Sequence, residues 1–444
     1  MIFPWTRQCS LSAVSNSRRT LICKGMGMKD VFVLFVILAC AGVCMAEATF
    51  SGYANTGTTV MFDQDKTFST SAEVRLEGAW KYGKHSAVEA HVLVTSALQP
   101  LDPFTAFRSG SVMDRAAGEL MGDVLSYLDS STLAIFSSSS DEIDRFVRHL
   151  PYSSFYPHDN VALDRALVKL FTKRFDLYIG RQMMGWGTGY AFNPTDIWNV
   201  KNPLDPKAPK LGVNALRLEA PFGAMSGISA IVSPGTDPRH SNAGIRVKTN
   251  AGRFDLSVCG MYAMSADAEL LGLPKKTMAG ADFAGQIFDV GVWAEGVLVN
   301  PVYSGMGYSD FDSLYAQIDA GMDYTFETGI YVMAEYYFNG LGQKKSADYS
   351  GADLIRMFGG EMDGFARHYL MLGTSKEVVA HITLSLFGLV NLNDGSGVIL
   401  PGIEYLFSDN ITVKVNGLIS AGSRKNSEYG SAYHSLNLKV TGYF

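Results

Sequence analysis

From Thr49 to the carboxy terminus, apolar and polar side chains alternate with a period of two. Successive side chains of a strand point to opposite faces, so each alternating segment has one oily face and one wet face. SAEVRLEGAWKY sets Ala72, Val74, Leu76 and Trp80 opposite Glu73, Arg75 and Glu77, and YAQIDAGMDYTF sets Ala316, Ile318, Ala320, Met322 and Tyr324 opposite Gln317, Asp319 and Asp323. No apolar run in this region reaches the roughly 18 residues that a membrane helix needs. The repeated segments, about 18 of them at roughly 9 to 16 residues, have instead the length of tilted strands that cross a bilayer. They fall at 49–62, 67–82, 86–96, 161–173, 174–184, 212–221, 225–233, 242–250, 253–263, 276–285, 287–299, 312–326, 328–340, 366–376, 377–392, 396–407, 409–421 and 432–444.

The connections sort by parity. After every even segment the chain turns within a few residues, through YGKH, KRF, PFGA, NAGR, GQ, ETG, SKE and FSDN, whereas the long connections at 97–160, 185–211 and 341–365 all follow odd ones. A soluble sandwich has no reason to separate loops in this way, but a membrane barrel has short turns on one side and long loops on the other. Aromatic residues cluster beside the tight turns, as at Tyr324 and Phe326 or Tyr405 and Phe407, where an interfacial girdle is expected. With 45 glycines, 15 prolines and 12% aromatic residues, the composition suits many strands joined by glycine-containing turns.

The amino end is set apart. VFVLFVILACAGV runs from Val31 to Val43, preceded by Lys29 and followed by AEA at Ala46–Ala48. That is the charged, apolar and small-residue order of a secretory signal, and it is too short to span a bilayer. Residues 1–48 are expected to form a leader and signal peptide removed on export. Translation from Met26 or Met28 is an alternative start, and lipidation at Cys40 an alternative fate. Four of the five cysteines lie in this segment, so the remainder holds Cys259 alone and no internal disulfide, and a buried, inert thiol is expected there. Setting aside the net +3 of residues 1–48 takes the formal charge from −6 to −9, which makes nucleic acid an unsuitable partner.

The last segment, SLNLKVTGYF, places Leu436, Leu438, Val440, Gly442 and Phe444 on one face. A final strand of this kind, ending in Phe, resembles the signal that Gram-negative-type outer-membrane barrels present to the barrel-assembly machinery. IGRQMMGWGTGYAFNPTDIWN, from Ile179 to Asn199, resembles a strand-to-loop junction, GRQ followed by WG, of porin-like and exopolysaccharide-export barrel families. The resemblance implies an all-β fold: a transmembrane, antiparallel, up-and-down barrel of about 18 strands, with 16 as the alternative. It also implies a bacterial outer-membrane location, with lipid and the assembly machinery as partners.

With the apolar stripe facing lipid, Arg165, Lys169, Arg217, Arg246 and Lys248 are expected to line the pore from strands 4 to 8. Asp289, Glu295, Asp319, Asp323 and Glu335 are expected to line it from strands 11 to 13. Opposed charged walls give a transverse field that orients polar solutes, though each charge can equally pair with a strand neighbour. Loop 185–211 is the candidate constriction. It carries four prolines, three glycines and the anchors Trp186 and Trp198, and when folded inward would present Asp196 and Asn199 to solute. Strict parity puts Arg181 on the lipid side unless Gly180 forms a bulge. The insert 97–160 has two amphipathic helical patterns and is expected as a small helical element in an extracellular loop.

The eight histidines are scattered, and no HExxH, paired cysteine or nucleophile elbow is present. No enzyme chemistry, metal or cofactor is expected. The function expected is that of a porin-like channel for small polar or charged solutes. A surface adhesin or structural barrel, and a substrate-specific export or uptake barrel, are the alternatives. Assembly into a homo-oligomer stays open.

Overall fold

The computed structural model describes residues 47–62, 67–97, 160–199, 201–235, 241–264, 275–302 and 313–444. Eighteen strands run through them: β1 (Glu47–Phe62), β2 (Thr67–Tyr82), β3 (Ser86–Ala97), β4 (Asn160–Phe171), β5 (Asp176–Met183), β6 (Gly212–Pro221), β7 (Gly227–Ser233), β8 (Asn242–Ala251), β9 (Phe254–Ala263), β10 (Lys275–Ile287), β11 (Val290–Val302), β12 (Tyr315–Thr325), β13 (Tyr331–Asn339), β14 (His368–Val379), β15 (Ile382–Asn391), β16 (Gly397–Ser408), β17 (Ile411–Ala421) and β18 (His434–Tyr443). Each pairs antiparallel with its neighbours in sequence, and β18 returns to β1 in an unbroken register from Tyr53↔Tyr443 to Phe62↔His434.

Closure answers a solvent problem. In hydrocarbon each unpaired backbone N–H or C=O costs several kcal/mol, so a sheet edge cannot face lipid. Here the ladder is carried to its limit by Gly52 and Phe444, whose N–H groups each donate to the other's carbonyl at 2.9 and 3.1 Å. The side chains obey the same solvent. Leu436 and Leu438 of β18, Ile318 and Met322 of β12 and Leu384 and Leu386 of β15 are exposed on the outside, while Gln317, Asp319 and Thr441 are buried within. The fold is a closed transmembrane β-barrel.

The parity of the connections is that of the sequence. Even strands hand over within two to five residues, as at 83–85, 252–253 and 409–410, and the longest connections follow odd strands. Two tight turns lie further along the chain than the glycine and charge signals suggest. β10 runs on to Ile287, paired with Val290, so the turn is Phe288–Asp289 rather than Gly285–Gln286. β14 runs through a bulge at Glu377 to Val379, so its turn is Ala380–His381 rather than SKE. Phe288 and His381 both take a positive φ, 56° and 72°, the left-handed twist that joins right-twisted strands in two residues.

Residues 1–46 and the insert 98–159 lie outside the described residues, and with them the expected signal peptide and helix pair. β1 begins at Glu47, two residues before the expected boundary. The helix among the described residues stands elsewhere: α1 (Gly351–Phe358), in the β13–β14 connection, starts on a capping box in which Ser350 and Asp353 exchange hydrogen bonds.

The lumen is not lined by polar groups all round. Met261, Met278, Val297, Val299, Met371 and Leu389 are inward-facing strand residues and are buried, because loops pack onto them. Trp186 and Trp198 cover the wall from β6 to β11, and Phe192, Tyr349, Leu354 and Phe365 cover the wall from β13 to β16. Apolar area removed from water in this way is worth about 25 cal/mol per Å2, so the loops fold inside the barrel for the reason that a core folds inside a soluble domain.

Candidate functional site

The chain between β5 and β6, residues 184–211, folds into the barrel and is held there by two carboxylates of the opposite wall. Glu295 of β11 accepts at one oxygen from the N–H of Thr188 (3.1 Å) and Gly189 (2.8 Å), and at the other from the N–H (3.3 Å) and hydroxyl (2.5 Å) of Thr195. Glu335 of β13 accepts from the N–H of Tyr190 (2.5 Å), Ala191 (2.7 Å) and Phe192 (3.2 Å), and from the Trp293 indole (3.0 Å). The glycines of WGTG make this approach feasible. Gly187 has a φ of +90°, and a Cβ there would stand 2.5 Å from a Glu295 oxygen; one on Gly189 would stand 1.9 Å from the Phe192 carbonyl.

Rings lock the same segment sideways. Trp186 and Trp198 meet edge to face at 4.6 Å, Phe192 stacks on Tyr337 at 4.2 Å, and Tyr190 stacks on Phe387 at 5.8 Å. Asp196 and Asn199 are turned into the loop rather than towards solute, which corrects the role expected for them. Asp196 is buried, accepts from the N–H of Trp198 and Asn199, and pairs with Lys210 at 2.5 Å; Asn199 donates to the Met184 carbonyl at 2.6 Å. Burial pushes the Asp196 carboxyl up, with Lys210 opposing. Burial, and then Lys210, push the Lys201 ammonium down, although it donates to the carbonyls of Gly189 (2.6 Å) and Tyr190 (2.9 Å).

The expected acidic wall is thus the loop's dock. Glu295, Asp319 and Glu335 are buried, side by side on β11, β12 and β13, and Asp319 accepts no hydrogen bond among the described residues. Asp323 takes a hydrogen bond from Tyr331 at 3.1 Å. Asp289 is not in a strand at all: the register of β10 with β11 leaves it exposed in the Phe288–Asp289 turn. The basic residues each have an acidic neighbour. Arg246 forks onto Asp282 at 2.9 and 3.0 Å beneath Trp186, Arg217 lies 4.1 Å over Tyr178 and near Glu219, Lys248 pairs with Asp255, Lys169 with Glu89, and Arg165 stands 3.6 Å from Asp164. Gly180 has a φ of +122°, but alternation continues through it. Ile179 and Met183 are exposed, Gln182 is buried, and Arg181 lies opposite Asn214 in the Ile179 set.

The opposite wall, from β17 through β18 and β1 to β4, carries polar contacts. Thr59 and Asn437 meet at 2.8 Å, and Glu73 accepts from Tyr53 at 2.6 Å and Asn55 at 3.2 Å. Arg75 is buried between Asp164 (2.6 Å) and Glu77 (2.7 Å), and Asp164 also takes the Gly212 N–H, tying this wall to the end of the inward loop. Lys414 of β17 sits directly across the ladder from Lys439 of β18. Asp205, exposed on the inward loop, has Lys439, Lys414 and Lys207 as its electrostatic neighbours; enclosing protein raises its carboxyl, and these lysines oppose the rise. The sequence reading missed Arg75, Asp164, Asp205 and the Lys414/Lys439 pair as site residues. The two lysines occupy wet positions in their segments, but their direct opposition exists only in the β17–β18 register.

No family model matches the chain, and no curated protein matches it in sequence. Solved outer-membrane β-barrels do match in structure. Among them are OccK2 of Pseudomonas aeruginosa in complex with glucuronate, with 10% identity, coverage of 90% of this chain and 98% of that one, and a TM-score of 0.54. OccAB4 and OccAB1 of Acinetobacter baumannii are each 8% identical, cover 90% of this chain and 99% and 97% of their own, and give a TM-score of 0.52. At these identities the likeness is one of fold: this chain has the fold of outer-membrane porin-type barrels.

Proposed function

We propose that the protein is an outer-membrane channel for small polar or charged solutes, with the inward loop 184–211 as its constriction. One observation carries the reading: the loop is fixed by six backbone N–H groups on two buried carboxylates, all on one side of the barrel. A loop held so firmly to one wall narrows the lumen while leaving the facing wall of β17, β18 and β1–β4 to water. Solutes pass between that polar wall and the loop's solvent-facing edge, where Asp205 looks towards Lys414 and Lys439. Opposed charges across a narrow, low-dielectric passage orient dipolar solutes and favour anions where the cations outnumber the acid. Small sugar acids fit this arrangement, and a structural neighbour was solved with glucuronate.

Insertion of the purified protein into planar bilayers tests the reading. Discrete conductance steps are expected, and liposomes containing the protein are expected to swell in small sugars and sugar acids but not in large oligosaccharides. A barrel that inserts and folds yet passes neither ions nor sugars would overturn it.

A further inference from the structure

We propose that the outer wall at β14–β18 binds one anionic glycerophospholipid of the leaflet on the short-turn side, with an acyl chain lying over Pro401 and Gly417 and the headgroup phosphate on Lys376. This goes beyond the channel reading and does not depend on it.

The first observation is a defect in the sheet. The β16–β17 ladder is paired at Ile399↔Ile419 and again at Gly402↔Asn416, and is interrupted between them. Pro401 has no N–H to give, and proline inside a sheet is ordinarily confined to edges and bulges. Gly417 lies against it: a Cβ there would come within 2.9 Å of the Pro401 ring. The wall is therefore thin at this point, while Leu384, Leu386, Ile403 and Leu436 stand out around it on the lipid face. The second observation is the result, a hollow of about 620 Å3 on the outside of the barrel, bounded by Thr374, Lys376, Leu384, Pro401, Val415 and Leu436.

The third is the charge. Lys376 pairs across the ladder with Leu384, whose side chain is exposed, so the ammonium belongs to the lipid-facing side, and it has no ion pair among the described residues. A lysine on the lipid face costs about 2–4 kcal/mol at the bilayer midplane and close to nothing near the interface. Lys376 lies four residues before the Ala380–His381 turn, close enough for its stem to run along apolar surface and bring the ammonium to headgroup level. An apolar trough with a cation at its interfacial end has the charge and shape of a lipid chain under an anionic headgroup.

Native mass spectrometry of the detergent-purified full chain, titrated with dioleoylphosphatidylglycerol, tests this. One tightly retained lipid is expected. Val415→Phe, which fills the hollow, and Lys376→Gln, which removes the cation, should each weaken retention about fivefold or more, whereas Leu218→Ala on the far wall should not. Heat-dependent gel mobility shows whether each variant is folded, and the half-buried, lipid-side Lys376→Gln change keeps the test open if Val415→Phe is not. Equal retention by wild type and both variants would overturn the proposal. So would a hollow occupied by a second copy, seen as oligomer masses that Val415→Phe abolishes.

Discussion

Glu335 and Asp319 show how much a buried carboxylate depends on its donors. Both are inward-facing and buried, two residues apart in the β12–β13 register, yet Glu335 accepts four hydrogen bonds and Asp319 none among the described residues. Removing an acceptor leaves buried donors unsatisfied, at about 1–3 kcal/mol for each group that water cannot reach. Glu335→Ala is therefore expected to release the loop, lowering the urea midpoint of the folded protein and giving a larger, noisier conductance in bilayers. Asp319→Asn should act in the opposite sense, because it relieves the crowding of three buried carboxyls, Glu295, Asp319 and Glu335, on adjacent strands; its urea midpoint is expected to equal or exceed that of wild type. If the two variants destabilise alike, hydrogen bonding to the loop is not what separates these acids.

At the scale of elements, the strands were legible and the inward loops were not. Alternation marks a strand locally, and all eighteen segments have counterparts in the structure, the largest displacement being β15, expected from 377 and starting at Ile382. The loops' positions depend on distant partners. A signal was nevertheless present: GVLVN in β11 and YLMLG in β14 are apolar on both faces, which a water-lined wall does not need and a loop-covered wall does. The connection at 422–433 belongs to the same inner layer. Its Glu428 is buried, accepting from the Tyr369 hydroxyl and the Asn391 amide at 2.8 Å and from the Phe365 N–H at 3.2 Å, and burial pushes its carboxyl up to about 7. Asp363, half-buried in the β13–β14 connection, is pushed up to about 6 in the same way. A carboxyl whose folded pKa lies above its unfolded value of 4.5 stabilises the folded arrangement most below that value, and loses the contribution as pH rises through 7. Amide protection in residues 422–433, taken relative to the intrinsic exchange rate at each pH, is expected to be higher at pH 5 than at pH 8. Glu428→Gln should shrink that difference, and adding Asp363→Asn should shrink it further. A pH dependence untouched by both changes would place its origin elsewhere.

For the whole molecule, closure and the gathering of the short turns at one end followed from the pattern of the chain, but the asymmetry of the lumen did not. Two charged walls were expected; instead, Glu295 and Glu335 dock a loop, and each expected cation stands near an acid. In the proposed channel the charge that faces solute is set at the loop edge and the nearby β17–β18 ladder, by Asp205, Lys414 and Lys439, which influence one another electrostatically. Lys414 also pairs with Glu404 at 2.9 Å, which leaves Lys439 as the freer of the two cations. Charges opposed across confined water interact more strongly than in bulk, so neutralising one should change the anion-to-cation permeability ratio by about two- to threefold. Lys439→Gln is expected to shift the reversal potential under a potassium chloride gradient towards cation preference, and Asp205→Asn to shift it towards anion preference. Lys248→Gln, far round the barrel and paired with Asp255, should leave it nearly unmoved. Equal responses at all three positions would mean that selectivity is spread over the lumen, and that the loop edge and the β17–β18 ladder do not form its filter.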